Sequence, residues 1–202
     1  MKRRNFVRMA GLGAAALASA TQSKNAFGMK AVESSGISID PTPRFELSPW
    51  LYMQFMEPLG VTDGSVEAAW DHSRDQWRED LVQVTRELAP GMVRYGGILS
   101  AYYKWKESVG PRNQRTPMLN IHWNGIETNQ VGTAEFVDFC RQVNADPLMT
   151  VNFESEGNEH WAKTPKGENR SGDAKEAAGW VDYCNNPSNK FRIEHEFREP
   201  LK

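Results

Sequence analysis

The run "RYGGILSAYYKWKESVGPRNQRTPMLNIHWNGIETNQVGTAEF", residues 94–136, gathers Trp and Tyr clusters, paired glycines, several amides and Glu127 in one stretch. Aromatic faces stack on flat ligands, and side-chain amides both donate and accept hydrogen bonds. The stretch therefore reads as two binding loops with little scaffold between them. Seven Trp among 202 residues fit the same picture of a flat, wet cleft, although any one Trp serves equally well as core filler. The four histidines, His72, His122, His160 and His195, are widely spaced, with no H-x-H or H-E-x-x-H pattern, and Cys140 and Cys184 belong to no metal motif. No metal site and no cofactor are expected. Both cysteines fall on apolar helix faces and are expected to be buried free thiols.

A net charge of −2, with both signs scattered along the chain, excludes the basic stripe that nucleic acid requires. Residues 1–20, "MKRRNFVRMAGLGAAALASA", have a basic start, a short apolar stretch and an A-x-A site at Ala18 to Ala20. Arg3 and Arg4 followed by Asn5, Phe6 and Val7 resemble a twin-arginine export signal. The apolar stretch is too short for a bilayer, which takes about 20 residues. An exported protein, periplasmic or extracellular and free of the membrane once the signal is cleaved, is expected.

These loops need elements to hold them. Residues 21–46 read as a leader with a short strand in "GISIDP", 36–41, ended by Pro41 and Pro43. "LYMQFM", 51–56, is a compact apolar strand. Ser73 and Gln76 form an S-x-x-Q capping box ahead of Trp77, Leu81, Val84 and Leu88, the spacing of an amphipathic helix that "APG" ends at 89–91. "MVRY", 92–95, is the next strand. Thr133 caps a second helix carrying Phe136, Phe139, Cys140 and Val143. "PLMTVNF", 147–153, is a third strand. Asp173 with Glu176 starts a third helix carrying Ala177, Trp180, Val181 and Cys184, which Pro187 breaks.

The order β-α-β-α-β-α calls for parallel strands with crossover helices. Long loops only after strands favour a (β/α) barrel, whose sites lie on that rim. A doubly wound sheet is the alternative, but no G-x-G-x-x-G follows the first strand. A whole barrel takes about 250 residues and eight strands. Residues 47–202 are thus expected to hold an incomplete barrel, about its first three βα units.

With the elements placed, "RYGG", "GPRNQR", "ETNQVGT" and "AKEAAGWVDYCNNP" resemble the first half of glycoside hydrolase family 51, from about Leu51 to Pro187. The resemblance implies an α/β fold, the N-terminal part of a (β/α)8 TIM barrel, with the residue 36–41 strand joining a β-sandwich domain. It implies a retaining glycosidase resembling α-L-arabinofuranosidases, acting on arabinose-containing polysaccharide. Such chemistry takes two carboxyl groups roughly 5 Å apart, an acid/base and a nucleophile. In the family these stand on the fourth and seventh strands, beyond Lys202, so no catalytic residue is assigned. Alternatively the chain is a non-catalytic exported sugar-binding remnant, or the product of a broken gene. Asn158 and Glu159 in "GNEHW" mimic the family's Asn-Glu pair but lie in a loop after the third strand, before the helix that should precede the fourth.

The resemblance implies substrate contacts at Glu57, Trp123 and Asn152. A carboxylate at Glu57 accepts two sugar hydroxyls at once, or instead pairs with Arg94. Trp123 stacks on a sugar face or packs in the core. Asn152 faces the same rim, while Glu127 and Asn129 hold their loop together. Three positions depart from the family. Ile98 stands where a polar residue or Cys is usual, no Pro separates Tyr95 from Gly96, and Pro58 follows Glu57 where His is common. A sugar other than arabinose is therefore open.

Overall fold

The computed structural model describes residues 36–56, 69–123, 125–158, 160, 162–195 and 201. The chain divides into two units, Met1–Arg44 and Phe45–Lys202. In the first, the described residues 36–44 form no helix and no strand pairing. The strand expected over 36–41 is not formed. Alternation alone makes no strand without a ladder partner, and Ile37 and Ile39 are 91% and 81% exposed. Asp40 instead accepts the Thr42 N–H at 2.9 Å and pairs with Arg44.

The second unit is built on a parallel sheet of three strands, β1 (Met53–Met56), β4 (Met92–Tyr95) and β7 (Asp146–Met149), with β4 in the centre. Phe55 registers on Arg94, which registers on Leu148. Side chains alternate across a strand, so Val93 and Tyr95 enter the core while Arg94 faces the other way. Two antiparallel pairs, β2 (Trp70–Asp71) with β3 (Gln76–Trp77) and β5 (Met118–Leu119) with β6 (Ile126–Glu127), stand in the crossovers. The helices are α1 (Glu79–Leu88), α2 (Thr133–Val143), α3 (Ala174–Asn185) and α4 (Lys190–His195). The α/β order with parallel strands is the one the sequence calls for.

Several boundaries moved, each for a visible reason. Ser73 and Gln76 make no capping box. The Ser73 N–H and hydroxyl both donate to Asp71 Oδ1, at 3.0 and 2.6 Å, which closes the β2–β3 turn. That hairpin delivers Trp77 to the core, 5.2 Å from Trp70 and 4.9 Å from Phe139 between ring centroids, with its indole N–H on Glu135 O at 2.8 Å. Burying a Trp outweighs one cap, roughly 1 kcal/mol. So α1 begins at Glu79, after Arg78 and not after Ser73, with Glu79 and Asp80 complementing its positive end. Its buried face is Val82 and Thr85, while Val84 and Leu88 are exposed.

Helix α2 is capped by Gly132, whose N–H donates to Glu135 Oε2 at 2.8 Å; Thr133 is the first helical residue. A Cβ at 132 would stand 2.4 Å from Ser108 O, so only glycine admits this approach. Thr133 turns inward and accepts the Trp180 indole N–H at 3.0 Å. Asp173 does cap α3, taking the Glu176 N–H at 2.7 Å. Trp180 and Tyr183 of α3 are buried, whereas Val181 is exposed. Cys140 is buried and Cys184 half-buried, both free, and burial pushes their thiols up to about 12 and about 11. Helix α4 was not foreseen. It exists because Arg192, fully buried, donates to Tyr183 O and, at 2.7 Å, to Asn186 O, closing the carboxyl end of α3. Leu201 is also buried, its N–H on Cys184 O at 2.9 Å.

Candidate functional site

The ladder of β4 ends at Tyr95, and Gly96 turns the chain outward at φ +95, a conformation that favours glycine. A Cβ there would also stand 2.4 Å from Ser100 Oγ. The Gly96 N–H donates to Met56 O at 3.0 Å and the Thr150 N–H to Tyr95 O at 3.0 Å, so the rim is tied to all three strands. From β4 the chain passes into a 3-10 turn, Ile98–Ala101; from β7 it passes through Thr150 to Phe153 into a second, Glu154–Gly157. Glu154 and Ser155 sit at φ +48 and +52, costly for non-glycine residues. The Ser155 hydroxyl offsets part of that cost by donating to Ala101 O at 2.7 Å, joining the two turns.

Between these turns lies an open cleft of about 470 Å³, lined among others by Arg94, Ile98, Thr150 and Phe153. The Arg94 guanidinium lies 4.3 Å over the Phe55 ring, a cation–π contact. Its buried Nε has no acceptor among the described residues. The described lining holds no Asp or Glu. What this arrangement can do is bind a small ligand with polar and apolar sides; the described residues supply no acid or nucleophile to it.

The second loop is organised by buried polar groups. Asn120 Oδ1 accepts from the Tyr102 hydroxyl at 3.1 Å and from the His122 and Trp123 N–H groups at 3.1 and 2.9 Å. Its Nδ2 donates to Glu127 Oε1 at 2.6 Å. Asn129, at φ +57, donates to Thr116 O at 2.7 Å. Glu127 and Asn129 thus hold their loop as expected. Arg115, the last residue of "GPRNQR", donates to Gly110, Asn129 and Gln130 carbonyls and to both Glu135 oxygens. The roles of Arg115 and Asn120 were not read from the sequence. Their only signal was position inside a loop dense in amides. Burial, with His160 nearby, holds the His122 pKa below its ordinary 6.5.

The aromatic loop is corrected by the structure. Tyr102, Tyr103 and Trp105 are core residues, not cleft walls. The Trp105 ring lies parallel to Trp180 at 6.2 Å and meets Tyr183 at 5.0 Å. Trp123 is half-buried at the β5–β6 tip, 5.5 Å from the His122 ring, and is not among the residues lining the Arg94 cleft. Asn152 stands three residues beyond β7, which ends earlier than the strand expected to 153. Its amide N–H groups are spent on Tyr103 O at 3.1 Å and Arg170 O at 2.9 Å, while its buried Oδ1 has no partner among the described residues. Asn152 is therefore a clamp between two loops. Glu57 and Glu159 lie outside the described residues.

A parallel α/β sheet with its cleft at the carboxyl ends of the strands is an architecture that serves many enzymes. Known proteins narrow that class. A family described as "Alpha-L-arabinofuranosidase 1 domain" matches residues 84–202. An intracellular exo-α-(1→5)-L-arabinofuranosidase of Halalkalibacterium halodurans is 33% identical over 163 residues, 77% of this chain and 29% of that protein. Alpha-L-arabinofuranosidase C of Emericella nidulans is 34% identical over 158 residues, 76% of this chain and 28% of its own. Among solved structures, the thermostable GH51 α-L-arabinofuranosidase of Thermotoga petrophila superposes with a TM-score of 0.57 at 28% identity, over 75% of this chain and 30% of that one. The chain belongs to the α-L-arabinofuranosidase family, glycoside hydrolase family 51. It spans under a third of the length of these relatives.

Proposed function

We propose that the chain forms the first βα units of a (β/α)8 barrel and carries part of the sugar-binding cleft of a retaining arabinofuranosidase. The reaction is hydrolysis of a terminal arabinofuranosyl bond in an arabinose-containing oligo- or polysaccharide. The observation that carries this is the cleft itself, set at the carboxyl ends of β4 and β7 in a chain of this family. Barrel enzymes place their sites on that rim. The resemblance, not the described lining of the cleft, is what nominates Trp123, Glu57 and Asn152 as further sugar contacts. Retention takes two carboxyl groups. The described lining has none, so this reading takes the acid and the nucleophile from outside that lining.

We further propose that the protein is exported by its twin-arginine-type N-terminus, to the periplasm or beyond.

The test is a titration of the purified 202-residue chain with L-arabinose and with an aryl α-L-arabinofuranoside, watching amide shifts and release of the aryl group together. Binding at the Gly97–Ala101 amides without release supports the reading. Release that disappears in Glu159→Gln would show that the catalytic carboxylate lies in "GNEHW", against the assignment made here.

A further inference from the structure

We infer that Ile98 and Phe153 set the specificity of this cleft, selecting a glycosyl unit with hydrogen or methyl where a hydroxyl would meet Ile98. The inference rests on reading the cleft as a sugar site. Its walls are unlike. Its polar lining includes Arg94, whose guanidinium lies over Phe55, and Thr150. Its apolar lining includes Ile98, 47% exposed, and Phe153, 62% exposed.

The backbone explains why Ile98 faces the cleft. In the 3-10 turn after the glycine pair, Leu99 is fully buried and anchors the turn, which leaves Ile98 outward. Phe153 comes from the other turn, and the Ser155 to Ala101 hydrogen bond holds the two turns together. Apolar groups of this size gain by being covered. A phenyl ring covers the C–H face of a sugar, and the hydroxyl edge then meets Arg94 and Thr150.

At Ile98 no side chain donates or accepts. The neighbouring serines, which also line the cleft, are buried, and the Ser155 hydroxyl already gives its proton to Ala101 O. A hydroxyl pressed on the Ile98 side chain loses water and finds no partner in it, whereas a C–H or a methyl loses nothing. An apolar pocket discriminates a single such group by about tenfold or more.

The experiment is an NMR titration of the 202-residue chain with methyl α-L-arabinofuranoside and its 2-, 3- and 5-deoxy analogues. One deoxy analogue should bind about tenfold tighter than the parent sugar. Ile98→Ser should bring that ratio close to one, and Phe153→Ala should weaken all four ligands alike. Equal binding of parent and deoxy sugars by the wild-type chain sinks the inference while the sugar site stands. So does a ratio that Ile98→Ser leaves unchanged. If none of the four shifts the amides of residues 97–101, the sugar site falls and the inference falls with it.

Discussion

Arg115 and Glu135 form a two-pronged ion pair inside the protein. Arg115 Nη2 donates to Glu135 Oε1 at 2.9 Å and Nη1 to Oε2 at 3.1 Å, with side chains only 2% and 13% exposed. Glu135 also takes the Gly132 N–H that starts α2, so one carboxylate joins the helix to both loops. Removing one partner of a buried pair strands the other charge, which costs about 3–5 kcal/mol. Arg115→Ala should lower unfolding free energy by that order, read by urea denaturation. Glu135→Gln keeps the Gly132 contact and should cost less. A loss under about 1 kcal/mol for Arg115→Ala, the range of exposed pairs, would contradict the buried arrangement.

Trp123→Ala tests the hairpin tip. Trp123 is half-buried and held through its backbone N–H on Asn120. Losing a half-buried indole should cost well under the 3–5 kcal/mol of a core Trp→Ala change. It should also weaken arabinofuranoside binding measured by amide shifts. A core-sized stability loss with unchanged binding would return Trp123 to the core.

His122 gives a pH dependence. Its folded pKa is below the ordinary 6.5, burial being the larger cause and His160 the lesser. Below pH 6.5 the unfolded chain binds the proton more readily than the folded one. The contribution of His122 is therefore complete above pH 6.5 and is lost as pH falls below it. Thermal midpoints should decline from pH 7 to pH 5 and decline less in His122→Phe. Parallel curves for the two proteins would remove His122 as the cause.

Export is tested at the N-terminus. If Arg3 and Arg4 are read as a pair, changing both to Lys should leave the precursor in the cytoplasm, seen by fractionation and blotting. Secretion at the wild-type level would rule the proposal out.

The parallel βαβ order was legible in the sequence because it depends on local periodicity. "MVRY" matches β4 residue for residue, and Asp173 caps α3 where it was expected. Resemblance led to the family, yet Glu57 lies outside the described residues, and only the structure shows that the Asn152 amide N–H groups join two loops. What tertiary structure alone decided is which aromatic residues are wall and which are core. Trp105 is buried by Trp180 and Tyr183, partners more than seventy residues away in the chain. Ile98 and Phe153, no more hydrophobic in type, are left in the cleft by the turns that carry them. A residue's type sets the gain from burial. Only the neighbours that the fold brings to it decide whether that gain is taken inside the protein or left for a ligand.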